Sequence, residues 1–155
     1  MRTAEGQAIF EEMKGHFPQR EVVQMDMQRD LAIAFCAWLR RIDESEAPAP
    51  ELWQSAAERI VLTRVRVQLE RNLELTSGNP PLALSRIEAL VLGPWAGRDA
   101  LFERLLTRES DEQHALWHLE AWLEHELFVE YSDKRYGAII DSAREQVISD
   151  DRDAN

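Results

Sequence analysis

The sequence predicts an all-α fold, a single-domain helical bundle of about six or seven helices. Apolar residues recur at spacings of three and four along most of the chain, and capping and breaking residues punctuate those stretches. No run alternates long enough to make a strand; Val65-Arg66-Val67 alternates, but inside a longer helical pattern. With 155 residues, 45% of them hydrophobic, about two-thirds of the unfolded surface can be buried, which suits one core. The domain is expected over 1–149, with 150–155 a frayed acidic tail.

The first helix is expected from a cap at Thr3 to about His16, before Pro18. A second runs from about 20 to 42. Its apolar residues cover most of the circumference around 31–39, so it is placed at the centre. Asp43 to Pro50 reads as a proline-stiffened linker. A third helix spans about 51–76 on a stripe of Val61, Val65, Leu69 and Leu73, with Arg59, Arg64, Arg66 and Arg71 alternating with Glu58, Glu70 and Glu74 elsewhere. Ser77-Gly78-Asn79-Pro80-Pro81 stops it and starts a fourth, about 81–92. A fifth follows at about 98–108. Ser110 and Gln113 form a capping box that opens the sixth, 111–131. The seventh carries Tyr136, Ile139, Ile140, Ala143 and Val147 on one stripe.

Charge is uneven. The formal net charge is −11, and residues 109–155 hold 13 acids and 4 bases, against 16 and 14 in residues 1–108. From Glu109 to Asp133 there are eight carboxylates and neither Lys nor Arg. Such a chain is a poor binder of phosphate backbones, so no nucleic-acid partner is expected. Residues 82–108 resemble a helix-turn-helix only loosely, because the Gly93-Pro94-Trp95 connection is too stiff. No secretory signal is read at the start, and the longest apolar run, Leu31 to Leu39, is far short of a membrane span. The single Cys36 lies inside that run and reads as a buried thiol in a reducing cytoplasm.

The helix 111–131 concentrates the chemistry. His114, His118 and His125 project within one sector. An i, i+4 pair of imidazoles is half of a metal site, so His114 and His118 with Asp111 are the candidate ligands for a divalent transition metal. Glu112, Glu126 and Glu130 share the face of Leu116, Leu119 and Leu123, where a core helix would not place charges. Glu126 is expected to be the most enclosed, and an arginine such as Arg64 or Arg104 is its expected partner. Trp117, Ala121 and Phe128 make the opposite side apolar as well, which implies burial between layers or an outward face that a partner covers.

The leading functional reading is a small acidic cytoplasmic interaction module of the adaptor, chaperone or immunity type, without a cofactor. It would bind a basic protein through Trp117, Glu120, Glu124, Phe128 and Tyr131. The competing reading is a metal-dependent helical enzyme built on His114, His118 and nearby carboxylates. A homodimer pairing its own aromatic strips is the third. Nucleophilic catalysis lacks its ingredients, since no Gly-rich elbow or phosphate loop occurs.

Overall fold

A computed structural model describes residues 22–44, 55–97 and 111–154. These residues are mostly helical, as expected, with one small antiparallel sheet. In chain order the elements are β1 (Val22–Asp26), α1 (Arg29–Glu44), α2 (Ala56–Leu75), β2 (Pro81–Ser85), α3 (Arg86–Ala96), α4 (Asp111–Glu126), α5 (Phe128–Tyr131) and α6 (Tyr136–Ala154). The helices expected at 3–16 and 98–108, most of the 43–50 linker and the Ser110 cap lie outside the described residues. No helix among the described residues is long and apolar enough to cross a membrane.

The sheet corrects the expectation that no strand is present. β1 pairs with β2 from Val22 opposite Ser85 to Asp26 opposite Pro81. In each strand alternate residues turn inward, Val23 with Met25 and Leu82 with Leu84, which is the period-two signature of a half-buried strand. The helix expected over 20–42 therefore begins only at Arg29. Likewise the helix expected from Pro81 begins at Arg86, because Pro81 sits at a strand end where its missing N–H costs no ladder bond. Ser85 then starts α3 with a capping box: its hydroxyl accepts from the Glu88 amide (3.1 Å) and its own amide donates to the Glu88 carboxylate (2.9 Å).

Both ends of α2 are tied down. Ser55 caps the start by accepting from the Ala57 amide at 3.1 Å. Arg29, at the head of α1, donates to the carbonyls of Leu73, Thr76 and Gly78, the carbonyl end that a helix leaves unsatisfied. On the side facing the sheet, the amide of Gln68 both donates to and accepts from the Ala83 backbone, and Asn72 donates to the Pro81 carbonyl at 2.8 Å. Two side chains one turn apart thus take the place of a third strand along β2.

Among the described residues the most central helix is α3 rather than the 20–42 segment. Seven of its eleven residues are buried, and it packs against α2, α4, α6 and both strands. α1 instead keeps Ile33, Ala37 and Arg40 exposed on its outer side. Phe35 stacks on Trp38 within α1, and Trp95 of α3 lies tilted against Trp38, with ring centroids about 6 Å apart in both pairs. α6 packs its expected stripe of Ile139, Ile140, Ala143 and Val147 on α2 and α3. It continues to Ala154, through residues that composition assigns to a tail.

Candidate functional site

The helix α4 is built as a two-sided element. Ala115, Leu116, Leu119 and Leu123 are fully buried and set it against α1 and α3, and Leu127 extends that row past its end. Leu127 leaves the helical conformation (φ −105°, ψ 17°), and the chain resumes as the single turn α5. The outward side carries His114, Trp117, His118, Ala121, Glu124, His125 and Phe128, all exposed. Trp117 is 47% exposed and Phe128 68%. These two rings stand at the two ends of the outward strip.

The five residues expected to bind a partner divide. Trp117, Glu124 and Phe128 lie on the outward strip. Glu120 is half-buried and its carboxylate rests against Gly97. Tyr131 turns inward: its hydroxyl occupies the space where Gly93 lacks a side chain, and its ring meets Tyr136 edge-on at 5.2 Å. Burial pushes the Tyr131 phenol well up, and Tyr136, Glu124, Glu120 and Glu130 add to the rise. Tyr131 therefore belongs to the packing beneath the strip.

The enclosed carboxylate is Glu130, not Glu126. Glu126 is half-buried, whereas Glu130 is held by Arg86 from the first turn of α3, which also donates to the Glu126 carbonyl at 3.1 Å. Helical spacing puts both carboxylates on the face of Leu119 and Leu123, and Glu130 is the one that is enclosed there. Arg64, the partner expected from α2, pairs instead with Glu88 at 3.2 Å and Asp151 at 3.8 Å; Arg104 lies outside the described residues. A second buried carboxylate, Glu58, stands 3.6 Å from Arg144 of α6. The sequence carries its signal, since Glu58 falls on the Val61, Leu62 and Val65 stripe.

The candidate metal ligands Asp111, His114 and His118 line one open depression, which Asp30 and Leu31 at the start of α1 complete. The His114 ring lies tilted against Trp117 with centroids 5.7 Å apart. Among the described residues, no group of three or more His, Cys, Asp or Glu side chains is arranged to hold a metal ion.

Sequence reasoning gave no role to the outer side of α2. Val67 and Leu75 are exposed there, in a depression flanked by Arg64 and Arg71. Comparison with protein-family models, curated proteins and solved structures finds no match to this chain.

Proposed function

We propose that this chain is an interaction module of the adaptor, chaperone or immunity type, acting in the cytoplasm as one helical domain. It docks a basic protein partner on the outward strip of α4 and α5. The observation that carries this reading is the exposure of Trp117 and Phe128 on a helix whose opposite side is already fully buried. The apolar surface is surplus to the core, and the segment 109–133 around it holds eight carboxylates without a Lys or Arg. Carboxylates steer a basic surface into range, and burial of the two rings then holds it. Metal-dependent catalysis has a weaker footing, because its residues share a depression without forming a donor triad among the described residues.

The test is a comparative capture from the native host with the wild-type chain and with Trp117→Ala/Phe128→Ala. A partner lost by the variant supports the strip. A partner retained equally by both ends this assignment.

A further inference from the structure

We infer that the outer edge of β1 pairs antiparallel with the same edge of a second copy of the chain, joining two two-stranded sheets into one of four strands. The two edges of the sheet are finished differently. On β2, Gln68 takes both the N–H and the C=O of Ala83, and Asn72 takes the Pro81 carbonyl. Those groups therefore point away from β1. Gln24 stands opposite Ala83, and two opposed residues of an antiparallel pair exchange both bonds or neither. The N–H and C=O of Gln24 thus point away from β2, as do those of Val22 and Asp26, two residues to either side. No described residue bonds these outward groups. All three residues are exposed, Val22 by 47%. The strand Val22-Val23-Gln24-Met25-Asp26 also lacks Pro, Lys and Arg, the residues that discourage pairing at an edge.

A strand that docks here has to keep apolar side chains on the inward side and bring no carboxylate against Asp26. β1 of a second copy meets both conditions. With Gln24 opposite Gln24 of the copy, Val22 faces Asp26 of the copy and Asp26 faces Val22, so every outward N–H and C=O is used about a two-fold axis. The only charged residue of the strand then lies beside a valine rather than beside its own equivalent. Val23 falls opposite Met25 of the copy, so the inward rows of both copies share one face of the joined sheet. Sliding the copies toward the Asp26 end gives up bonds and brings the two carboxylates together. Because Gln68 and Asn72 already cover part of the far edge of β2, the association stops at two copies. Strand pairing over five residues buries less than about 1,200 Å². Each copy also carries −11, so the dimer is weak and strengthens as salt screens the repulsion.

Sedimentation of the full chain up to submillimolar concentration, with amide hydrogen exchange read residue by residue, tests this. Wild type is expected to form a reversible dimer and nothing larger. Dimer formation is expected to slow exchange at Val22, Gln24 and Asp26, whereas Val23 and Met25, bonded to β2, are slow at every concentration. Gln24→Pro removes the central outward N–H without touching a bond between β1 and β2. It is expected to weaken the dimer by roughly tenfold or more, with circular dichroism and the Val23 and Met25 amides reporting an intact sheet. Gln24→Lys makes each copy less negative yet sets two ammonium groups opposite each other, and it is expected to weaken the dimer as well. Should Gln24→Pro unfold the sheet, Gln24→Lys and the exchange pattern still decide. A chain that stays monomeric, a dimer whose outward amides exchange freely, or one that Gln24→Lys leaves unchanged or tightens overturns the inference. None of these positions lies on α4 or α5, so the docking reading above stands or falls separately.

Discussion

Arg86 holds Glu130 with two parallel hydrogen bonds, Nε to Oε1 at 2.6 Å and Nη2 to Oε2 at 2.8 Å. Their side chains are only 13% and 2% exposed. The pair joins the first turn of α3 to α5, so it locks the end of the candidate docking helix to the central one. Planar guanidinium and carboxylate meet in the geometry that makes such pairs strong. Removing one member leaves an uncompensated charge in the interior, which costs far more than the intact pair contributes. Arg86→Ala or Glu130→Ala is therefore expected to lower stability by about 3–5 kcal/mol. Replacing both by apolar residues of similar volume is expected to cost much less. Urea unfolding of the three variants checks this, and equal losses in all three would show that the pair is not the source of the effect.

Gly93 is expected to resist substitution although it lies inside a helix. Alanine there would gain about 1 kcal/mol of helix propensity. Its Cβ would collide with the Tyr131 hydroxyl and sit 3.1 Å from Cζ of the same ring. Overpacking costs about 1–3 kcal/mol and exceeds the propensity gain, so Gly93→Ala is expected to destabilise. Tyr131→Phe removes the oxygen in the way, so the double variant is expected to recover part of the loss. Melting temperatures of the cycle decide, and additive losses would mean that the two positions do not interact.

What the sequence discloses and what it conceals divide along a physical line. The stripes of α2 and α6 were legible because each helix meets its neighbours along one continuous face. Cys36 was legible as a buried thiol because its neighbours in the sequence, from Leu31 to Leu39, are all apolar. The strands were not. Val22, Val23 and Met27 also fit a helical period, and the partner that selects the extended form, Leu82 to Leu84, lies some sixty residues away. The Ser85–Glu88 capping box was present in the sequence as a start signal for α3, overshadowed by the prolines before it. Helical spacing put Glu126 and Glu130 on one core face, but that Glu130 rather than Glu126 is the enclosed one depends on Arg86, which lies 44 residues away in the chain. On the candidate site, the outward placing of Trp117, Glu124 and Phe128 follows from helical spacing, whereas the inward turn of Tyr131 depends on the hole at Gly93.

Cys36 is expected to be inert in the folded chain. Burial pushes its thiol up from 9.0 to about 11, the Glu70 carboxylate adds to the rise, and Arg66 and Arg40 only partly offset it. Since the thiolate is the nucleophile, a disulfide reagent at mildly alkaline pH should react slowly until the protein unfolds. The raised value also sets a pH dependence. Below pH 9 the thiol is neutral in both states and its contribution to stability is intact. Above that the unfolded chain deprotonates first, so stability should fall as pH rises from about 9 to about 11. The neighbouring Glu70 has the opposite sign. Burial pushes its carboxyl up, but hydrogen bonds from Arg40 and Arg66 outweigh this and hold it below the ordinary range, so its contribution is lost as pH falls. Urea unfolding at a series of pH values, with Cys36→Ala as the control, separates the two limbs. An alkaline limb unchanged in Cys36→Ala would assign it to another group.

Gln68 is expected to matter more than its partly exposed place on α2 suggests. Its amide satisfies both the N–H and the C=O of Ala83 on the side of β2 turned away from β1, and Asn72 covers Pro81 beside it. Alanine at position 68 removes both bonds at once and leaves two backbone groups of a strand without them. An unmade bond of this kind costs about 1–3 kcal/mol. It also turns a covered strand edge into one that can pair with another chain. Gln68→Ala should therefore lose stability and aggregate faster on mild heating. Gln68→Glu should recover only half of the pairing, since a carboxylate accepts from the Ala83 amide but cannot donate to its carbonyl. Thermal melts and light scattering on the two variants distinguish edge protection from helix packing. If Gln68→Ala melts lower yet scatters no more than wild type, the amide stabilises α2 against the sheet without guarding the edge.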